Sequence, residues 1–349
     1  MSKIKTRREM KITVDHNLEE EVKKKVVVDT EIEGKVGKIN FNELKSGGFI
    51  KQRQKDLFTV RLRCPGGRIP VKKLKKIAEV AEKYGGEYVH LSFRQSLEIP
   101  YVNYKNFSGV IEELKEVDQN IASCGPRVRV PTACSGCEYN PNGLTDTQKM
   151  AKEVSEKFFG YRCNHKFKIS FSGCPIDCAR TNEMDLGFQG AVFPVWDEDP
   201  CTGCTICSSA CLEGAITPHP ETGKPIFNLS KCLYCSDCIR ACPTGAWKQG
   251  RMGHVVRIGG RHGRHPLNGS VIAKFISDDD VPKVIEGVLK WYEKNGEGRG
   301  RVRIGEILTE PGKIESLTAH LNGILGDNAI KKPNPPRPIH INEFEKGVV

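Results

Sequence analysis

The chain lacks a long apolar segment. None of its uninterrupted apolar runs approaches the roughly 20 residues that a membrane helix needs. Its start, M-S-K-I-K-T-R-R-E-M-K, has no apolar stretch of the kind found in a secretory signal. We therefore expect a cytoplasmic protein without a membrane span. A dinucleotide-binding glycine motif is also missing, because G-G-R-H-G-R (259–264) lacks the preceding strand and following helix of such a site.

Charge of one sign dominates. The 349 residues include 54 Lys and Arg against 43 Asp and Glu, which gives a formal net charge of +11. A basic chain favours an anionic partner, which could be nucleic acid, a phosphate, an acidic cofactor or a small anion. The sign of the charge does not choose among them, and the length predicts more than one domain.

Cysteine is abundant, with fifteen residues. Because cytoplasmic thiols stay reduced, this number indicates metal or redox chemistry rather than disulfides. Residues 201–211 read C-T-G-C-T-I-C-S-S-A-C and residues 232–243 read C-L-Y-C-S-D-C-I-R-A-C-P. This repeat is typical of bacterial ferredoxins, in which three thiolates of one run and the last of the other bind one 4Fe-4S cube. A zinc ribbon is the alternative, but zinc does not need the third regularly spaced cysteine.

The repeat predicts two ligand sets. The first set is Cys201, Cys204, Cys207 and Cys242, and the second set is Cys211, Cys232, Cys235 and Cys238. A third set, for a third 4Fe-4S cluster, follows from two tightly spaced pairs, Cys134 with Cys137 and Cys174 with Cys178. The remaining cysteines are predicted to be small buried residues: Cys64, Cys124 and Cys163.

Strand and helix patterns alternate around these cysteines. F-T-V-R-L-R (58–63) and K-F-K-I-S-F (166–171) predict strands. Residues 71–86 predict a helix whose apolar face is Leu74, Ile77, Ala78 and Ala81. This order favours an α+β fold, and because strand character resumes at H-V-V-R-I-G-G (254–260), the segment 195–250 is predicted to be inserted into a larger domain.

Basic residues lie close to the cysteine pairs. Arg61 and Arg63 alternate along one predicted strand, so they share a face, and so do Lys166 and Lys168 on another. Arg94 directly follows a predicted strand. Each alone is most simply a solvated charge. Together they suit a small oxyanion, because Arg offers a rigid fork of donors and Lys a compact charge.

These residues make the chain resemble the sirohaem-dependent sulfite and nitrite reductases, in particular the anaerobic, dissimilatory-type sulfite reductase catalytic subunit. The similar segments are V-R-L-R-C-P-G-G (60–67), F-R-Q-S-L-E-I-P (93–100), R-V-P-T-A-C-S-G (129–136), K-F-K-I-S-F-S-G-C-P-I-D-C (166–178), the double ferredoxin run and R-I-G-G-R-H-G (257–263). The resemblance implies a ferredoxin-like half-domain (46–120), a sirohaem and 4Fe-4S domain (121–194 and 251–330) and an inserted 2[4Fe-4S] ferredoxin domain (195–250). Composition adds a charged N-terminal extension (1–45) and a proline-rich surface tail (331–349).

The resemblance also implies roles for single residues. In the family a cysteine thiolate is shared by sirohaem and a 4Fe-4S cube, and Cys178 matches it by position. The family's oxyanion-binding residues fall on Arg61, Arg94, Lys166 and Lys168. Sirohaem is rich in carboxylates, so basic residues are expected at its rim, and the candidates are Arg129, Arg257 and Arg261.

One position departs from the family pattern. The first cysteine pair of the family has five intervening residues, which would place a cysteine at 140, where this chain has Asn140. We predict that Cys137 replaces it, because a C-x-x-C loop can bind two irons of a cube. The alternative is a cluster with three cysteine ligands, with Cys137 free.

The function implied is the six-electron reduction of sulfite to sulfide, with electrons from a separate ferredoxin or flavoprotein. The residues leave nitrite open as the substrate. A sirohaem-free electron-transfer subunit would leave Arg61, Lys166, Cys174 and Cys178 unexplained, and a nucleic-acid-binding protein would rest on charge alone. Because the chain has one copy of each half-site, we expect a homodimer or higher homo-oligomer in which the oxyanion residues of one protomer face the sirohaem of its partner.

Overall fold

The computed structural model describes residues 9–10, 38–39 and 41–339. Most of the predicted N-terminal extension (1–45) and the end of the predicted tail (340–349) lie outside the described residues. The chain divides into two compact units, the first formed by residues 1–132 and 152–168 and the second by residues 133–151 and 169–349. The five-part domain division given above stays a prediction. No helix in the described ranges is long and apolar enough to cross a membrane.

The first unit is built on a four-stranded antiparallel sheet of order β3-β4-β6-β5. Its elements, in chain order, are β1 (Glu9–Met10), β2 (Lys38–Ile39), α1 (Phe41–Ser46), β3 (Phe49–Lys51), β4 (Leu57–Arg61), α2 (Val71–Tyr84), β5 (His90–Leu91), β6 (Leu97–Asn103) and α3 (Phe107–Lys115). Alternate strand residues face the helices, so Phe58, Val60 and Ile99 join Val80 and Phe107 in one buried core. Burial on one face only explains the alternation in β4.

The helix predicted at 71–86 is confirmed as α2, but its predicted apolar face is partly wrong. Ile77 and Ala81 are buried, whereas Leu74 is 43% exposed and Ala78 is exposed. The buried stripe is instead Ile77, Val80 and Ala81. A stripe at i, i+3 and i+4 is the helical period, and Val80 fits it better than Leu74 does.

The buried cysteines of the first unit are Cys64 and Cys124, as predicted. The prediction for Cys163 is wrong, because this residue is only partly buried. It lies in a surface loop, where its thiol donates a hydrogen bond to the carbonyl oxygen of Tyr161 (3.6 Å).

The second unit is built on a five-stranded sheet of order β14-β12-β9-β8-β7. In chain order its strands and helices are β7 (Thr132–Ala133), α4 (Thr147–Phe158, which ends in the first unit), β8 (Ile169–Ser172), β9 (Leu186–Trp196), α5 (Ile206–Ala210), β10 (Ile216–Pro218), β11 (Pro225–Phe227), α6 (Asp237–Ala241), β12 (Trp247–Ile258), β13 (Leu267–Asn268), β14 (Ser270–Ile276), α7 (Val281–Gly296), α8 (Ile304–Leu308), α9 (Lys313–Leu325) and β15 (Arg337–Pro338). Short 3-10 turns lie at 65–67, 104–106, 181–183, 229–231, 278–280 and 326–328.

Strands β9 and β12 form the longest antiparallel pair, running from Leu186 opposite Ile258 to Trp196 opposite Trp247. Residues 197–246 leave the sheet at one end of this pair and return at the same end. They carry the double cysteine run on α5, α6 and the β10–β11 hairpin. All eight of these cysteines thus lie outside the strands of the five-stranded sheet, and Cys232 packs back against it beside Ala191, Val255 and Phe275.

The predicted surface tail is only partly a tail. Pro333 and Pro336 are buried, and Arg337–Pro338 forms β15, which pairs with β13. The ring of Pro336 lies so close to Gly259 that a Cβ there would come within 2.5 Å. A proline-rich composition predicts an exposed segment, but it does not show which prolines pack against the protein, because a proline ring is also an apolar surface.

Candidate functional site

The first cysteine set converges on one small pocket. Cys201, Cys204, Cys207 and Cys242 all line it, beside Trp247. Burial raises the pKa of the Cys207 thiol. Burial also acts to raise the pKa of Cys242, but hydrogen bonds from the backbone of Trp247 and from Thr244 outweigh it and the net pKa is lowered. The distant Cys242 therefore joins the first run, in the crossed arrangement of a ferredoxin.

The second set lies around a larger cavity of about 380 Å³. All four of its members line this cavity: Cys211, Cys232, Cys235 and Cys238. Burial raises the pKa of Cys235 to about 11 and that of Cys238 to about 12. Such thiols keep their protons until a cation favours the thiolate form. Cys174, from the third set, lines the same cavity.

The third set is assembled where two loops of the second unit meet. The sulfur of Cys134 accepts hydrogen bonds from the backbone N–H of Gly173 (3.1 Å) and of Gly136 (3.4 Å). Burial raises the pKa of Cys174, and the nearby Cys134 and Cys178 raise it further. Cys134 and Cys178 thus both lie near enough to act electrostatically on the Cys174 thiol, and Cys137 is exposed. The choice between Cys137 and Asn140 as fourth ligand stays a prediction.

Glycine is required where these two loops approach each other. Gly136 has φ +62°, and a Cβ on it would lie 2.6 Å from the Thr147 hydroxyl oxygen. A Cβ on Gly173 would lie 2.8 Å from the α-carbon of Gly136. Real Cβ atoms do not approach other atoms so closely, so the loops can hold Cys134 beside Cys174 only with glycine at these positions.

The loop that carries Cys178 is organised by Asp177. One of its carboxylate oxygens accepts hydrogen bonds from the Ser172 hydroxyl (2.8 Å) and the Thr181 backbone N–H (2.8 Å). These contacts fix the turn on both sides of Cys178, whose side chain is exposed. An exposed thiol next to a fixed turn is available to a group bound outside the loop.

Arg257, one of the three predicted rim residues, borders a polar cavity of about 560 Å³. Its Nη2 donates to Gln189 (2.9 Å), and within the described residues its buried Nε has no hydrogen-bond partner. Burial lowers its pKa, and the charge of Asp177 opposes this. The other basic and amide residues lining the cavity are Asn182, Asn268, Lys274, Lys332, Asn334 and Arg337. No Asp or Glu is among the described lining residues, so the cavity fits an acidic ligand.

The other two rim candidates have protein partners. Arg261 donates to the His265 carbonyl oxygen (2.6 Å) and pairs with the carboxylate of Glu306. Arg129, in the first unit, donates to the carbonyl oxygens of Gly125 (2.9 Å) and Ser123 (3.3 Å). Both arginines thus hold backbone loops in place. Their role at a sirohaem rim stays a prediction.

The predicted oxyanion residues all belong to the first unit. Arg61 pairs with Glu98 (2.7 Å) and donates to the Cys124 sulfur (2.9 Å). Arg94 donates to the carbonyl oxygen of Val130 (2.8 Å). The segment 124–130 therefore lies beside both arginines.

The two lysines flank Phe167, which pairs with Val128 of the same segment. Residues 166–168 precede β8, so the strand predicted at 166–171 begins three residues late, at Ile169. The alternation still holds, because Phe167 bridges Val128 and is fully buried while Lys166 and Lys168 are half-buried. The four basic residues thus border one short segment of the first unit.

Arg63 makes different contacts from Arg61, with which it is predicted to share a strand face. Its guanidinium donates to the hydroxyl and carbonyl oxygens of Ser155 (3.0 and 2.7 Å) and lies 4.4 Å from the ring centroid of Phe159. These contacts anchor residues 152–168 to the first unit. The strand period alone could not separate an anchor from a binding residue.

Sequence reasoning missed several basic residues that line the cavities of the second unit. Lys332 and Arg337 lie in the stretch interpreted as a tail, and Arg240 lies inside the ferredoxin run. Lys274 donates to the Tyr234 hydroxyl (3.1 Å) beside the second set. Of these residues, only Arg240 could have been noticed in the sequence, because it lies between Cys238 and Cys242 in C-I-R-A-C. In the described residues no three Cys, His, Asp or Glu side chains form a group suited to a single metal ion.

Two family models match the chain. Residues 124–317 match the family model described as the nitrite and sulphite reductase 4Fe-4S domain, and residues 50–117 match the nitrite/sulfite reductase ferredoxin-like half domain. The chain belongs to the nitrite and sulphite reductase family. The resemblance found in the sequence is therefore confirmed, together with a mixed α/β fold of a ferredoxin-like half domain and a 4Fe-4S domain.

This chain covers very different shares of its relatives' lengths. The chain is 30% identical over 266 residues to the coenzyme F420-dependent sulfite reductase of Methanocaldococcus jannaschii, covering 76% of this chain but only 42% of that protein. It is 28% identical to one of the subunits of the anaerobic sulfite reductase of Salmonella typhimurium, covering 76% of this chain and 83% of the relative. The chain thus spans less than half of one relative and most of another.

Two solved structures share the fold. Dissimilatory sulfite reductase I superimposes with a TM-score of 0.64 at 21% identity, over 80% of this chain and 72% of that chain. The Mycobacterium tuberculosis NirA protein does so with a TM-score of 0.63 at 15% identity, over 92% of this chain and 53% of that chain. Both comparisons support the family's fold for the greater part of the chain.

Proposed function

We propose that this chain is a sirohaem-dependent sulfite reductase that forms sulfide from sulfite with six electrons. The observation that carries the proposal is the cavity that Cys174 shares with the four cysteines of the second set. A ferredoxin-type cluster in the second set would lie beside a cluster held through Cys174. The shared cavity supports a short electron path between them.

The residues of the second unit suit the implied cofactors. The first and second sets would each hold one cluster of an inserted ferredoxin domain, and the third set would hold the cluster coupled to sirohaem. Cys178 is exposed and would supply the shared thiolate. The Nε of Arg257, which has no hydrogen-bond partner in the part of the chain that the structure describes, would bind sirohaem carboxylates together with Lys332 and Arg337. Bound sirohaem would supply the iron at which sulfite is reduced.

The chain's own part in the chemistry is to bind sulfite oxygens and deliver protons. Arg61 and Arg94 would bind the oxygens, because charged donors stabilise the negative charge that develops on them. Lys166 and Lys168 would donate protons as each oxygen leaves as water. One relative is named as dependent on coenzyme F420. For this chain we propose a separate ferredoxin or flavoprotein as the electron donor.

The test is the visible absorption spectrum of protein purified without oxygen, combined with pigment extraction and an iron assay. A sirohaem spectrum with about thirteen irons per chain is expected, from three cubes and one sirohaem. About eight irons without a tetrapyrrole would contradict the proposal and indicate an electron carrier. Turnover with sulfite and with nitrite, measured as sulfide and ammonia, separates the two substrates.

Replacing Lys166 or Lys168 tests the oxyanion group. We expect the Lys168→Ala variant to lose turnover and keep its absorption spectrum, because the lysine acts on the substrate rather than on cofactor binding. The exposed Lys72 offers a control, since Lys72→Ala removes the same charge elsewhere in the first unit. Unchanged turnover in both lysine variants would remove them from the mechanism.

Mixing two inactive variants tests the proposed homodimer. If the oxyanion residues act on the sirohaem of the partner, a hybrid of Lys168→Ala and Cys178→Ser protomers contains one intact site. Activity should then appear when the two variants are refolded or co-expressed together. A fully active monomer, or hybrids without activity, would contradict sites shared between protomers.

A further inference from the structure

Arg240 connects two of the three cysteine sets. It lies on α6 between Cys238 and Cys242, and its Nη1 donates to the carbonyl oxygen of Cys235 (3.2 Å) and to the Ser236 hydroxyl (3.1 Å). Its Nη2 reaches the other way and donates to the side-chain oxygen of Asn142 (3.2 Å). One rigid guanidinium thus touches the loop of the second set and the loop that follows Cys137.

The receiving loop is shaped to present Asn142. The side-chain oxygen of Asn140 accepts a hydrogen bond from the Asn142 backbone N–H (3.0 Å), and its carbonyl oxygen accepts one from Gly143 (2.9 Å). This tight turn sits where the family pattern has a cysteine. The loop lacks the cysteine that would attach it to a cluster at position 140. The hydrogen bond from Arg240 to Asn142 attaches it instead, and such a bond from a charged donor is among the stronger ones.

Charge accompanies this contact. Arg240 forms an ion pair with Asp237, whose other carboxylate oxygen accepts a hydrogen bond from the Cys235 thiol (3.2 Å). Arg240, Asn142 and Cys174 all line the cavity that also contains the second set. The guanidinium therefore places a positive charge between the second and third sets and compensates the carboxylate beside Cys235.

We propose that Arg240 is a positioning residue that ties the third cysteine set to the second and raises the reduction potentials of the clusters bound by both. The proposal rests on the proposed function, since it requires those clusters. Reduction adds negative charge to a cluster, and a nearby cation favours the reduced form. The first set has no member in this cavity, so its cluster should shift less than the other two, although its predicted ligand Cys242 lies two residues from Arg240.

The experiment is a redox titration of the anaerobically purified protein, followed by electron paramagnetic resonance, in which the three clusters are resolved. In Arg240→Gln we expect the potentials of two clusters to fall, each by a tenfold change in the reduction equilibrium or more, which is 59 mV for one electron. Asp237→Asn should shift the second-set cluster in the opposite direction. Lys283→Gln is the control, because it removes one charge from an exposed ion pair on α7.

The possible outcomes separate the inference from the proposed function. A wild-type protein without clusters would refute the proposed function itself. If the wild type binds its clusters but their potentials are the same in Arg240→Gln as in Lys283→Gln, only the role of Arg240 is overturned. A shift confined to the second-set cluster would overturn it as well. If Arg240→Gln does not assemble its clusters, Asn142→Leu is measured instead. It keeps the charge but removes the acceptor, and it should shift the third-set cluster alone.

Discussion

Two arginines four positions apart in the second unit should differ greatly in their contribution to stability. Arg303 is 4% exposed and makes two parallel hydrogen bonds to the fully buried Asp185, at 2.8 and 2.6 Å. Arg299 makes a similar two-bond contact to Glu310, but both side chains are 37% exposed. The pairs therefore have the same chemistry and different burial.

Removing one partner of the buried pair leaves an uncompensated charge in the interior. Arg303→Met should lower the free energy of unfolding by about 3–5 kcal/mol. Arg299→Met should leave the free energy of unfolding almost unchanged, because water already screens that pair. With a urea dependence of about 2 kcal/mol per molar, the midpoint of the first variant falls by about 1.5–2.5 M.

The assay follows tryptophan fluorescence during urea unfolding under anaerobic conditions. The chain has three tryptophans, at 196, 247 and 291, and all lie in the second unit, so the signal reports the unit that holds the pair. The double variant Arg303→Met with Asp185→Leu should recover most of the loss, because an apolar pair needs no charge compensation. Equal midpoints for the Arg303 and Arg299 variants would refute the reasoning.

Further predictions concern acid stability and the third cysteine set. Hydrogen bonds from Lys83 and Tyr84 lower the pKa of Glu113 to about 2; its contribution to stability is thus complete above about pH 4.5 and disappears as the pH falls through about 2. Glu113→Gln should therefore unfold more easily than the wild type near neutral pH and match it near pH 2. Gly173→Ala should lose about four irons per chain, because its Cβ would collide with Gly136. Full iron content in that variant would show that the loops can separate without loss of the cluster.

Sequence patterns locate the elements better than their faces. The predicted end of the α2 helix lies within two residues of the observed end, because its period and glycine stop are local signals. Which side of it is buried depends on the sheet beneath, so the assignment of Leu74 is wrong. The strand predicted at 166–171 begins late for a similar reason, since only its last residues have neighbours on both sides in the sheet.

The fixed spacing of the cysteines predicts which side chains come together better than hydrophobic periodicity predicts which faces are buried. The double run determines which cysteines converge, including the distant Cys242 and Cys211, because the repeat itself specifies the exchange. The residues that join separate loops leave little signal. Arg240 donates a hydrogen bond to Asn142, which is distant in the chain, and Lys332 lines the same cavity as the distant Arg257. No local pattern encodes either relation.

The excursion at residues 197–246 has neighbouring ends, since Trp196 and Trp247 are paired in the ladder. Closing a flexible loop costs free energy that grows only with the logarithm of its length. A much shorter turn could thus join the same two strands. The sheet does use one part of the excursion, because Tyr234 packs in a core cluster with Ala191, Val255 and Phe275. A descendant of this chain could therefore replace the segment that carries the double cysteine run in one genetic step and keep the five-stranded sheet, provided that the replacement fills the place of Tyr234.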